Sequence, residues 1–199
     1  MNEKEKENIM STIESLKNRR SYYAINKEMP VSAEVVKETI RETVRLVPDA
    51  FNMKSARVIV ALGTKQDELW DKIYDAFGGK VAREKIDSFK AGAGTVLYYI
   101  DMDVVKGLQN QFPRYAENFP LWANHANGML QISIWTALRD FGIGANIQHY
   151  NPVIDDAVKE LFQVPNSWAL IAEMPFGGIV SQPESKEMED IDQRVKIFE

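Results

Sequence analysis

Apolar residues recur every three or four positions through "VSAEVVKETIRETVRLV", residues 31–47, at Val36, Ile40, Thr43 or Val44, and Val47. That spacing predicts an amphipathic helix. Ser32 can cap it, Glu34 suits its positive N-terminal end, and Pro48 ends it. The period then changes. "ARVIVALG", 56–63, is β-branched and closed by Gly63, which reads as a strand. "TKQDELWDKIYDAF" returns to helical spacing, with Thr64 as cap and Gly78-Gly79 as stop. "VAREKIDSFKAG" is a further helical stretch, and "GTVLYYID", 94–101, is a strand apolar on both faces. A two-faced apolar strand belongs in the middle of a covered sheet. "DVVKGLQNQF" predicts a short helix ending near Pro113.

From Leu121 to Phe141, "LWANHANGMLQISIWTALRDF" has hardly a wet face. Only Gln131, Ser133 and Thr136 are polar between Gly128 and Leu138. A helix apolar nearly all round must be buried, in the middle of a domain or of an oligomer. "GIGANIQHY" follows as a turn and a short strand, where Gly142 and Gly144 either end the helix or let the backbone approach a ligand. Asn151-Pro152 is expected to open the helix "PVIDDAVKELF" as N-cap and first residue. "SWALIAEMPFGGIV" is the last core strand region, before a polar tail ending "EDIDQRVKIFE". Alternating helices and strands with no internal linker or repeat predict one α+β or α/β domain over residues 1–199.

Composition narrows the chemistry. Of 199 residues, 29 are acidic and 24 basic, for a net charge of −5, so a general nucleic-acid binder with a basic stripe is not expected. The absence of cysteine excludes disulfides, thiolate catalysis and cysteine-based metal sites, and suits a reducing cytoplasm. The two histidines, His125 and His149, have no metal-ligand spacing, so no metal is expected. The charged first 18 residues lack the apolar core of a signal peptide, and no run is long enough for a membrane span. Walker, GxGxxG, HExxH and serine–histidine–acid signatures are all missing.

What remains is a set of polar clusters. Arg19, Arg20 and Ser21 either decorate a solvated helix end or hold an anion, since guanidiniums fork onto phosphate oxygens and a hydroxyl adds a third bond. In "AFNMKSAR", Asn52 and Lys54 would point to one side of an extended stretch. Arg194 and Lys196 alternate in the tail.

"RRSYY", "PDAFNMKSARVIV", "WTALRDFGIGANIQHYNP" and the closing "RVK" together resemble the nitroreductase family, in particular its small subgroup named for a fatty-acid-repression mutant protein. The resemblance covers nearly the whole chain. It implies an α+β homodimer with a central antiparallel sheet flanked by helices, long buried helices at the dimer interface, and FMN bound between subunits. Arg19, Arg20 and Ser21 match the family's phosphate-side motif, and Arg194 and Lys196 its basic C-terminal residues. The "IQHY" stretch matches backbone lying against the flavin ring, so Gln148 and His149 would act through their main chain and His149 is not read as a general base. Tyr23 stands where many relatives carry a Lys, and Lys54 where the loop often has Gln. Lys54 could then supply the positive charge near flavin N1 and O2, with Asn52 beside it. Phe51, Phe119 and Trp122 are the expected aromatic wall over the flavin, although core or dimer packing explains Trp122 as well.

By that resemblance the protein is an NAD(P)H-dependent oxidoreductase. Hydride would pass to flavin N5 and then, in a ping-pong sequence at one shared site, to a nitroaromatic, quinone or similar small aromatic acceptor. Two other readings use the same residues. One is a flavin-binding sensor or regulatory protein linked to fatty-acid or stress responses, with little turnover. The other is an anion-binding structural protein without flavin.

Overall fold

The unbroken apolar run at residues 94–101 is, as its pattern predicts, the middle of a sheet. In the computed structural model, which describes residues 12–187 and 189–199, β3 (Gly94–Asp101) lies between β2 (Ala56–Leu62) and β5 (Trp168–Ile179). The strand order is β1-β5-β3-β2, where β1 is Ile25–Asn26, and β4 (Ile143–Ala145) also pairs with β5. All of these ladders are antiparallel.

Alternation along β3 sends its side chains to two separate cores. Val96 and Tyr98 face α2 (Ala33–Leu46) and α6 (Asn118–Asp140), packing with Val36, Ile40, Leu130, Ile134 and Leu138. Leu97 and Tyr99 face α3 (Thr64–Ala76), α4 (Arg83–Lys90) and α7 (Asp155–Phe162), packing with Leu69, Trp70, Ile86, Phe89 and Val158. A third cluster joins α5 (Met102–Gln111) to the start of α6 through Val105, Phe119 and Ala123. Helical residues 12–18 (α1) precede β1. The first part of the charged N-terminal segment, residues 1–11, lies outside the described residues.

Several boundaries move for identifiable reasons. Ser32 caps α2 as expected, accepting from the Val35 N–H. Thr64 is the first residue of α3 rather than its cap, because Gly63 at φ 58° makes the turn. Helix α6 begins at Asn118, three residues before Leu121, since Pro120 sits in the first turn, where its missing N–H has no helical partner to lose. Asn151 does not cap a helix at Pro152. Its side chain donates instead to the Leu170 carbonyl, residues 151–154 form a turn closed by Val153 N–H to Tyr150 O, and α7 starts at Asp155. Within one chain α6 is not buried all round: Leu121, His125, Gly128, Met129 and Ile132 form an exposed outer face. No helix among the described residues is long and apolar enough to cross a membrane.

Candidate functional site

The segment carrying Arg19, Arg20 and Ser21 is fastened to β4. Ser21 bridges Ala145 in parallel, Tyr22 N–H donates to the Ala145 carbonyl at 3.0 Å, and the fully buried Asn146 amide donates to Tyr22 O at 2.8 Å. Gly144 permits this contact, since a Cβ there would lie 2.9 Å from the Tyr22 Cβ. Of the two roles open to the glycines, Gly142 (φ 81°) ends α6 and Gly144 admits the chain's own Tyr22.

Arg19 and Arg20 are placed side by side without a counter-charge among the described residues. The Arg19 guanidinium lies over the Trp135 ring of α6, 4.3 Å from its centroid. Burial, and then the like charge of Arg20, lowers its pKa from the ordinary arginine value. Arg20 donates to the Glu184 carbonyl at 2.5 Å. Neither arginine has a carboxylate partner among the described residues.

The same fastening positions residues 146–150. The Gln148 side chain donates to Asn146 Oδ1 at 2.7 Å. Its main-chain N–H donates to Glu173 O (2.7 Å) and its carbonyl accepts from Glu173 N–H (3.0 Å). The Tyr150 N–H donates to Glu173 Oε2 at 3.0 Å. Extended backbone alternates its N–H directions, so the His149 N–H between them faces away from Glu173 and has no partner among the described residues. The main-chain contact expected over 148–149 therefore rests on His149 alone, because the Gln148 N–H is already used.

The Asn52 and Lys54 loop is not extended. Residues 50–52 form one 3-10 turn, and Phe51, Asn52 and Lys54 all take positive φ (58°, 49° and 52°). Asp49 accepts from the Lys54 N–H and holds that conformation. The turn places Asn52 and Lys54 on a cleft of about 310 Å³ that Asp49, Arg57, Ala126 and Leu130 also line. It also lays Phe51 on the Trp122 ring at 5.6 Å and 17°. Phe119 is fully buried and meets Phe51 edge-on at 5.2 Å, so it backs the exposed Phe51 face rather than forming part of it. Phe112 and Tyr115 complete the aromatic cluster.

The predicted residues thus form two groups against different stretches of α6. Trp122 belongs to one and Trp135 to the other, and the helix rises about 20 Å between them. The tail meets the first group through Glu184, whose carbonyl accepts from Arg20, but its basic residues make no contact with either group among the described residues: Arg194 pairs with Glu189, and Lys196 is exposed.

The family model described as nitroreductase family matches residues 16–178. The chain belongs to the nitroreductase family. The curated relative "nitroreductase FRM2" of Saccharomyces cerevisiae is 33% identical over 177 residues, 87% of this chain and 91% of that protein. Nitroreductase CinD from Lactococcus lactis, solved in complex with chloramphenicol, is 41% identical with a TM-score of 0.90, covering 94% of this chain and all of that one. A protein of Exiguobacterium sibiricum solved in complex with FMN shares the fold at 14% identity and a TM-score of 0.69, over 94% of this chain and 96% of that one.

In this nitroreductase, sequence reasoning missed three groups that shape the site, two of which leave no mark in the pattern. Trp135 looks like one more apolar residue on α6. Phe112 and Tyr115 precede the periodic part of that helix. Glu173 does carry a signal, as a lone acid inside the strand "ALIAEMPF".

Proposed function

We propose that this nitroreductase is an FMN-dependent NAD(P)H oxidoreductase, a cytoplasmic homodimer that reduces nitroaromatic, quinone or similar acceptors in two half-reactions at one shared site. The observation that carries the reading is the adjacent pair Arg19 and Arg20, without a carboxylate partner among the described residues and fastened at Ala145 and Asn146 to the segment that carries the outward-facing main-chain N–H of His149. That donor set fits FMN. Two guanidiniums and the Ser21 hydroxyl suit a terminal phosphate dianion, and a lone N–H suits an acceptor atom on the ring.

FMN, once bound, supplies the two-electron chemistry. The chain's own residues bind and orient. Arg19, Arg20 and Ser21 hold the phosphate, and the His149 N–H orients the ring. Lys54 and Asn52 bring positive charge and hydrogen bonding to its pyrimidine side, and Phe51 with Trp122 offers a flat apolar surface for a planar acceptor. Arg194 and Lys196, which make no contact with that group in the single chain, would add charge to the phosphate only once the tail is drawn to it.

The phosphate group and the Lys54 group lie against different stretches of α6, and a second copy packed on the exposed Leu121–Met129–Ile132 face would bring the two sets to one flavin from both subunits.

The purified protein should be yellow, bind FMN when stripped, and sediment as a dimer. NADH or NADPH should reduce it, and 4-nitrophenol-type or quinone acceptors should reoxidise it with steady turnover. A colourless monomer that takes up no FMN overturns the proposal. Full flavin reduction with negligible acceptor turnover would point instead to the sensor reading.

A further inference from the structure

Glu173 is fully buried in β5, on the face shared with Leu97 and Tyr99, and no Lys or Arg pairs with it among the described residues. It grips both neighbours of His149. Its main chain exchanges two hydrogen bonds with Gln148, and its Oε2 accepts from the Tyr150 N–H. The other oxygen, Oε1, is buried without a partner, as are the Tyr99 and Tyr150 hydroxyls and Asp155 Oδ1. An unpaired carboxylate in such a place is costly, whereas a neutral acid is tolerated.

We propose that Glu173 is a positioning residue for flavin binding: buried as the neutral acid it holds residues 148–150 so that the His149 N–H faces outward, and its ionisation, by leaving an uncompensated charge at the buried Oε1, disfavours the packed arrangement in which that hold exists. The proposal rests on the reading that this N–H meets FMN.

The surroundings on balance favour the neutral form. Burial comes first, pushing the Glu173 carboxyl up to about 8, with the nearby Asp155 adding to the rise and the Tyr150 N–H opposing it. Asp155 is itself raised by burial and by Asp156. The Tyr99 phenol is pushed above its usual range by burial and then by Glu173 and Asp155. Tyr150 is raised to about 12 by burial, by Glu173 and by Tyr23. On the flanking helix α4, Lys85 lies over the Tyr150 ring, 5.7 Å from its centroid. If only the neutral form holds the clamp, FMN affinity should fall about tenfold between pH 7 and pH 9.

The test compares wild type with Glu173→Gln, which keeps an acceptor for the Tyr150 N–H but cannot ionise, and Glu173→Leu, which removes that acceptor. The FMN dissociation constant is measured from pH 6 to pH 9 on the full chain. Infrared difference spectra of the flavin-free chain report the protonated carboxyl directly.

Support requires a protonated-carboxyl band in the wild type at pH 7 that is absent from Glu173→Gln. It also requires alkaline loss of FMN in the wild type but not in Glu173→Gln, and weaker binding at every pH in Glu173→Leu. The proposal is overturned if no such band is found, or if Glu173→Gln loses FMN with the wild-type pH profile. If the wild type binds no FMN at any pH, the flavoenzyme reading falls and the positioning role falls with it. Normal FMN binding that Glu173→Leu leaves unchanged sinks the positioning role alone.

Discussion

The Arg19 guanidinium lies 4.3 Å from the centre of the Trp135 ring, joining the segment before β1 to the last turns of α6. One turn further on, Arg139 donates to the Asn18 carbonyl at 3.1 Å. The long helix is therefore what presents Arg19 and Arg20, so losses in affinity should follow both the charge and the ring beneath it. Arg19→Ala and Arg20→Ala should each weaken FMN binding by at least about tenfold, the scale of one charge-assisted hydrogen bond. Trp135→Leu should cost roughly threefold. Flavin fluorescence titration reads all three. Added salt should weaken the wild type more than Arg20→Ala.

Lys54 can be tested by potential. If its ammonium stabilises the anionic reduced flavin, Lys54→Gln should lower the midpoint by a few tens of millivolts, about 30 mV for each tenfold change in a two-electron equilibrium. An unchanged midpoint removes Lys54 from the ring's surroundings.

Phe51 is nearly half exposed, at 47%, and is stacked on Trp122. Removing its ring should therefore affect acceptor binding more than fold. Phe51→Ala should raise the KM for a nitroaromatic by about 2–10-fold, the worth of one aromatic stacking contact, with a smaller change in kcat. Steady-state kinetics at saturating NADH separates the two.

Gly178 sets a packing limit on the site. A Cβ there would fall 1.8 Å from the Glu28 carbonyl oxygen, where the chain leaving β1 crosses β5. Gly178→Ala should cost at least about 3 kcal/mol in urea unfolding, because backbone rather than a flexible side chain must move. By displacing β1 it should also weaken FMN binding.

Glu173 should also leave its mark on stability. Its folded pKa of about 8 lies above the ordinary 4.5. Between those values the folded chain holds a proton that the unfolded chain has released, so this residue's contribution falls as pH rises from about 4.5 to 8 and is level above that. Glu173→Gln should remove the decline. Its Tm relative to wild type should climb by several degrees between pH 5 and pH 8, on a scale of about 2–4 °C per kcal/mol. Parallel Tm profiles would contradict this.

Much of the scaffold is legible in the order of residues. The apolar run at 94–101 is the central strand, Ser32 caps α2, and the helix-strand alternation is the observed α+β order. These features are local, since period, cap and stop are properties of a few consecutive residues. The starts of α6 and α7 fall elsewhere than the local pattern predicts, because Pro120 is tolerated inside a first turn and Asn151 finds a partner 19 residues away at Leu170. The left-handed backbone at Phe51, Asn52 and Lys54 leaves no trace in the pattern either, because no glycine marks it.

Residue order alone settled which side chains could serve: paired arginines for an anion, aromatics for a planar ligand, no thiol for metal or redox work. Only folding decided their company. It set Arg19 on Trp135 across 116 positions of chain, spent the Gln148 N–H on Glu173 and left that of His149 without a partner among the described residues, and set the predicted residues against different stretches of α6. The physical reason is that a side chain's type is written at one position. Its burial, its counter-charges and the direction of its N–H are set by distant segments that pack against it only when the sheet and helices close.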